Sequence, residues 1–148
     1  FICGTNITKN RVEYFNYKTC PKMKVLSALE ISICIPFVMK KVIYNDCLYV
    51  DGSVKDSYPI AVFKDIEPKF IVGIMIDVEM NVKVDCSFMD YATSIVLNAV
   101  PTTYNMKDTD CLHIKLCNLP KMSNVSSKEM LEMYCDGIYF ATEWLKDP

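Results

Sequence analysis

Phe70-Ile71-Val72-Gly73-Ile74-Met75-Ile76 is apolar on both faces along its whole length. A strand with one wet face alternates polar and apolar residues. One that is apolar throughout fits a parallel strand covered by helices on each side, so this stretch is read as the central strand of an α/β protein. Toward the C-terminus, Phe88, Tyr91, Ala92, Ile95, Val96 and Ala99 fall at helical spacing between Ser87 and Val100, and Pro101 ends the pattern. That spacing predicts a helix whose stripe packs into the core. Cys111 to Leu116 reads as a further strand, and its lone His113 reads as a polar-face or satisfied histidine with no assigned role. Ser126-Ser127-Lys128-Glu129 ahead of Met130 and Leu131 fits a capping box, with Val125 able to staple against Met130, and starts a final helix running to about Trp144.

Toward the N-terminus, Lys24 to Ile33 carries Val25, Leu26, Ala28, Leu29 and Ile33 at near-helical spacing, and Pro36 stops any helix at or before Ile35. Phe1 to Cys3 and Arg11 to Phe15 read as a pair of strands, with turn signals at Gly4-Thr5-Asn6 and Lys9-Asn10. Within Asp46 to Val50, the residues Leu48, Tyr49 and Val50 have strand propensity and run directly into the turn signal Asp51-Gly52-Ser53. An acidic residue therefore ends a strand. Strands alternating with helices give the class α/β with a mainly parallel sheet. No linker, repeat or low-complexity segment divides the chain, so residues 1–148 are expected to form one domain.

Composition narrows the function. At 51% hydrophobic the 148 residues can pack a core. A net charge of −2 without a basic cluster excludes the electrostatic footprint of a nucleic-acid binder. No apolar run approaches the roughly 18 residues of a membrane-spanning helix, which leaves a soluble chain for which a membrane surface is at most a peripheral contact. Of the eight cysteines, Cys34, Cys47, Cys86, Cys111 and Cys117 lie in or beside apolar stretches and none forms a CxxC pair. They are read as reduced buried thiols, which implies a cytoplasmic location. No metal or cofactor is expected. The sequons Asn6-Ile7-Thr8 and Asn124-Val125-Ser126 decide nothing by themselves.

Taken alone, Asp51-Gly52-Ser53 is an ordinary turn tripeptide. Its surroundings are more specific: Ala28-Leu29-Glu30-Ile31-Ser32-Ile33-Cys34-Ile35-Pro36-Phe37, then Leu48-Tyr49-Val50-Asp51-Gly52-Ser53, then Pro59-Ile60. In order and spacing this resembles the patatin-like phospholipase family, which has a small-residue helix ending in Ile-Pro, a strand into Asp-Gly-Gly or Asp-Gly-Ala, and a Pro eight residues after the Asp. Phe1 to Phe15 resembles the strand pair before that block, and Ser126 to Leu145 the family's closing helix.

The resemblance implies a three-layer α/β/α fold and ester hydrolysis in phospholipids or other acyl lipids by a serine and aspartate dyad. It makes Asp51 the dyad's general base. A serine hydroxyl is a weak nucleophile until a neighbouring base accepts its proton, and a tight turn at a strand's end fixes a carboxylate at the crevice where open α/β sheets bind ligands. Gly52 is read as letting the chain turn sharply behind it.

Ser53 stands where Gly or Ala is usual, Ser57 where Asn is common, and Glu30, Ile31 and Cys34 interrupt the small-residue run. With glycines only at 4, 52, 73 and 137, the chain has neither a Gly-x-Ser-x-Gly elbow nor a glycine-rich oxyanion loop. Ser32, Ser53 and Ser57 lack a glycine-flanked elbow and are not read as nucleophiles, and Lys40, Lys41 and Lys55 read as solvated loop lysines. The chain opens on Phe1 in what reads as a buried strand. The resemblance therefore implies a C-terminal portion of the domain, with the nucleophile in a missing N-terminal half and the isolated residues inactive. The alternative is a patatin fold kept as a structural or interaction module after decay of its dyad.

Overall fold

Turn chemistry organises the N-terminal part of the structure, a computed structural model that describes residues 1–78, 84–99, 110–116 and 125–146. Strand β1 (Ile2–Asn6) folds back into β2 (Arg11–Phe15) through a turn in which Asn10 takes φ 52°. Asn tolerates that left-handed conformation better than most residues. Strands β3 (Val42–Tyr44) and β4 (Cys47–Asp51) are joined by Asn45-Asp46 alone, both at positive φ (46° and 56°). Two consecutive positive φ values match the twist of a tight hairpin. The sheet order is β2-β1-β4-β3, antiparallel at every pairing.

That arrangement corrects the expectation of a mainly parallel sheet. The short β1–β2 and β3–β4 loops can join only antiparallel neighbours, since a parallel return needs a crossover of a dozen residues or more. Parallel pairing occurs between β5 (Val72–Val78) and β6 (Asp110–Leu116), in register from Val72 opposite Asp110 to Val78 opposite Leu116. The class remains α/β.

The chain divides into two units, Phe1–Val62 with Val82–Tyr104, and Phe63–Asn81 with Asn105–Pro148. In the first, helix α1 (Val25–Ser32) lies against β1 and β4. Its Ala28 and Ile31 are buried with Phe15, Cys47 and Tyr49, and the Phe15 and Tyr49 rings meet edge-on at 5.9 Å. Ile31 is fully buried, which contributes about 1.5–3 kcal/mol. Gly4 makes room for it, because a Cβ there would sit 2.4 Å from Ile31 Cγ2. Of the residues at helical spacing, Ala28 is buried, whereas Val25, Leu26, Leu29 and Ile33 are exposed. Spacing identifies the helix, but its buried face is the narrow one that meets Gly4.

Helix α2 (Phe88–Ala99) starts where predicted, with the Asp90 N–H donating to Ser87 Oγ at 3.1 Å and the Ser87 hydroxyl to Asp90 Oδ2 at 2.8 Å. Its stripe is not core packing as expected: Phe88, Tyr91 and Ile95 are each half or more exposed, and Ser94 is buried. The helix approaches the Gly52–Val54 turn.

In the second unit α3 (Ser127–Lys146) packs on β6. Its capping box is formed reciprocally: the Ser126 N–H donates to Glu129 Oε2 at 2.7 Å and the Glu129 N–H to Ser126 Oγ at 3.2 Å. Phe70 belongs to a 3-10 turn, Pro68–Phe70, ahead of β5. Among the described residues Val72, Ile74 and Ile76 leave one face of β5 exposed, the face for which the sequence reading expects a helical cover. Continuous apolarity marks the strand, not its cover. Among the described residues no helix is long and apolar enough to cross a membrane.

Candidate active site around Asp51

Asp51 is the last residue of β4, opposite Gly4 of β1. Its N–H donates to the Cys34 carbonyl at 2.9 Å, tying the strand's end to the exit of α1. Leaving the strand at φ −45° and ψ 139°, it caps the short 3-10 turn Gly52–Val54. Oδ1 accepts the Ser53 N–H at 2.8 Å and the Ser53 hydroxyl at 2.7 Å. An aspartate bonding the backbone two residues on is the usual lock of such a turn. Ser53 is thus the serine brought onto Asp51, and the bond serves the turn's geometry. Among the described residues Oδ2 accepts no hydrogen bond, so one carboxylate oxygen is held and the other is open on a half-buried side chain.

Gly52 is buried and its carbonyl accepts from Thr5 Oγ1 at 3.3 Å, from the Lys55 N–H at 3.1 Å and from the Asp56 N–H at 3.0 Å. It has no positive φ. The need for glycine is therefore spatial and not conformational: a Cβ would lie 2.6 Å from Cys3 Sγ and 2.8 Å from the Cys3 carbonyl carbon. Burial, then the charges of Asp56 and Asp51, pushes the Cys3 thiol up to about 11, so it stays protonated at neutral pH. Burial raises Cys34 too, with Asp51 adding to it. The Tyr14 hydroxyl donates to Asp56 Oδ2. Nothing in the sequence relates Cys3 and Tyr14 to this turn, because strand pairing brings them there.

A second polar cluster ties the sheet together. The Tyr49 hydroxyl donates to Glu13 Oε2 at 2.6 Å, and Arg11 Nε to Glu13 Oε1 at 2.8 Å. Fully buried Asn6 donates from Nδ2 to Tyr49 Oη at 3.0 Å and to Glu13 Oε1 at 3.2 Å. The first sequon is consumed by this network, since Thr8 Oγ1 also accepts the Leu48 N–H at 2.9 Å. Asn124 lies outside the described residues. Burial raises the Glu13 pKa, but the hydrogen bonds from Tyr49, Arg11 and Asn6 and the Arg11 charge outweigh it and hold the group below its ordinary value. A depressed carboxylate stabilises the fold above its unfolded pKa, and that stability is lost as pH falls through the folded one. Urea unfolding is therefore expected to show stability falling below about pH 4.5. Glu13→Gln is expected to flatten that acid limb while lowering stability at neutral pH.

Cys34 and Cys47 are buried free thiols, Cys3, Cys20 and Cys86 are partly exposed free thiols, and Cys135 is exposed. The side chains of Cys111, Cys117 and His113 lie outside the described set. Among the described residues no group of His, Cys, Asp or Glu could hold a metal ion. Lys40, Lys41, Lys55 and Ser57 are exposed.

Strand β4 thus delivers Asp51 onto a locked Asp-Gly turn beside the exit of α1. Residues 2–64 match the family model described as patatin-like phospholipase, so the resemblance holds over that segment. The chain is similar to a protein named probable lipid hydrolase 463L from Invertebrate iridescent virus 6, with 39% identity over 59 residues, covering 40% of this chain and 20% of that protein. It is also similar to uncharacterized protein R571 of Acanthamoeba polyphaga mimivirus, with 36% identity over 64 residues, covering 43% of this chain and 22% of that one. The chain spans about a fifth of the length of these curated relatives. No solved structure matches it.

Proposed function

We propose that the polypeptide carrying this chain is a lipid acyl hydrolase of the serine-aspartate type, with Asp51 as general base and the serine supplied from a segment N-terminal to Phe1. The observation that carries this reading is the divided carboxylate: Ser53 fixes Oδ1, and Oδ2 is left without a hydrogen bond among the described residues. Oδ2 accepts the serine proton as the serine oxygen attacks the ester carbonyl. The departing alcohol takes that proton from Asp51 as the acyl-oxygen bond breaks. Water then attacks the acyl-serine, delivering a proton to Oδ2 that returns to the serine oxygen as the fatty acid leaves. Donors for the oxyanion belong to the same N-terminal segment as the serine. The complete domain is inferred to be a three-layer α/β/α sandwich, a fold whose outer helices would cover the exposed Val72, Ile74 and Ile76 face of β5. The substrate class is phospholipid or another acyl lipid, met at a membrane surface.

The test is a fluorophosphonate probe applied to the complete polypeptide, together with release of fatty acid from phospholipid vesicles. The expected result is one labelled serine, N-terminal to Phe1 and flanked by glycines, with turnover blocked by the label. A folded polypeptide that neither labels nor releases fatty acid would overturn the hydrolase reading in favour of a patatin fold retained for binding.

A further inference from the structure

Between α1 and β3 the chain makes a closed excursion. The Met39 and Val38 N–H groups donate to the Ile35 carbonyl at 2.9 and 3.3 Å, and the Cys34 thiol donates to the Lys40 carbonyl at 3.4 Å. Pinned at both ends, residues 34–40 form a compact loop of the kind that is frequently functional. Phe37 sits within it at φ 67°, a costly conformation for an aromatic residue.

The loop holds its apolar side chains outward. Phe37 is 58% exposed, Val38 46% and Met39 47%, and they are flanked by Ile33 at 55% and Ile43 at 63%. A patch of this sort marks an interaction site. A cleft of about 440 Å³ runs beside it, lined among others by Ile33, Met39, Ile43, Lys40, Lys41 and Glu30. Both lysines are exposed.

Charge decides what the patch meets. The exposed Met130, Leu131, Tyr134 and Ile138 of α3 share their helix with Glu129, Glu132, Asp136 and Glu143 against Lys128 and Lys146. That is a helix an anionic surface repels. At the loop the balance reverses, two adjacent lysines against Glu30, in a chain of net charge −2. Apolar side chains beside cations are the composition that seats a segment in the headgroup layer of an anionic bilayer.

We propose that residues 34–41, with Ile33 and Ile43, dock this chain on an anionic phospholipid surface. Phe37, Val38 and Met39 enter the interfacial layer, and the Lys40 and Lys41 ammonium groups meet headgroup phosphates. The loop starts at Cys34, whose carbonyl accepts the Asp51 N–H, so docking presents the Asp51 turn close to the lipid. The inference rests on the lipid-hydrolase reading for its choice of a bilayer over a protein partner.

The test is flotation of the complete polypeptide carrying this chain with vesicles of phosphatidylcholine alone and of phosphatidylcholine with phosphatidylserine. Binding is expected on the anionic vesicles. Lys40→Gln with Lys41→Gln is expected to weaken it roughly twenty-five-fold, about fivefold for each lysine. Val38→Asp with Met39→Asp is expected to weaken it at least about tenfold, and Met130→Asp with Leu131→Asp on α3 to leave it unchanged. A Phe37→Trp variant is expected to shift its fluorescence to the blue on binding, a readout independent of the charge changes. The proposal is overturned by absence of binding to either vesicle, or by binding that the loop variants leave intact. A dimer that Val38→Asp with Met39→Asp dissolves, in a chain that ignores vesicles, overturns it in favour of a protein interface. Vesicle binding by a complete polypeptide that releases no fatty acid removes the hydrolase reading and leaves the docking surface standing. Hydrolysis without loop-dependent binding does the reverse.

Discussion

Asp51→Asn in the complete polypeptide is expected to lower acyl-ester hydrolysis by about 10²–10⁴-fold, the usual contribution of a positioned general base, with no change in melting temperature. The side chains match in shape, and the amide oxygen can still accept the Ser53 N–H and hydroxyl that now hold Oδ1 at 2.8 and 2.7 Å. The turn is therefore retained. What changes is the other atom: an amide nitrogen stands where Oδ2 stood, and it donates where the serine needs an acceptor. Parallel measurement of fatty-acid release and thermal unfolding separates chemistry from folding. Undiminished release would remove Asp51 from the mechanism, and a large drop in melting temperature would make its role structural.

Gly52→Ala is expected to destabilise the fold by about 2–3 kcal/mol, at the upper end of the cost of overpacking. The new methyl would lie 2.6 Å from Cys3 Sγ, 2.8 Å from its carbonyl carbon and 2.9 Å from its Cβ. A thiol can rotate away, but the carbonyl carbon cannot, because β1 is paired with β2 on one side and β4 on the other. Adding Cys3→Ala is therefore expected to recover only part of the loss. Gly137 in α3 is the contrast, because a methyl group there would meet nothing within 4 Å. Alanine at that position is expected to stabilise by about 0.5–1 kcal/mol. Urea midpoints of the two variants provide the comparison, and a Gly52→Ala protein as stable as wild type would show that β1 yields.

What the sequence discloses is local. The Asp51 strand and its turn, the stop of α1 before Pro36 and the Ser126–Glu129 capping box each depend on neighbours within a few residues, and each forms where the residues indicate. The Asn45-Asp46 hairpin carries an equally local signal, a turn pair between Val42–Tyr44 and Cys47–Tyr49, but strand propensity marks only its second strand clearly. The contacts that organise the candidate site are a different matter. Tyr49 reaches Asn6 across 43 positions, and Tyr14 reaches Asp56 across 42. No spacing rule relates such residues before the sheet order is known. The apolar stripes of α1 and α2 show that helices form, but not which side meets a neighbour, so Leu26, Leu29, Phe88 and Tyr91 point to a core they do not join. Gly52 is special as the sequence suggests, but its value is its lack of volume and not its backbone freedom.

The buried Asn6 amide has a consequence for how this chain can be made. Oligosaccharide transfer needs an accessible Asn-x-Ser/Thr acceptor, and the Asn6 of Asn6-Ile7-Thr8 is accessible only before β1 joins the sheet. A sugar attached then would occupy the nitrogen that bonds Tyr49 and Glu13, leaving the phenol and the carboxylate without that partner. In any compartment that transfers glycans, folding and transfer would compete for that one nitrogen, and a chain carrying the sugar could not make the Asn6 contacts of this sheet.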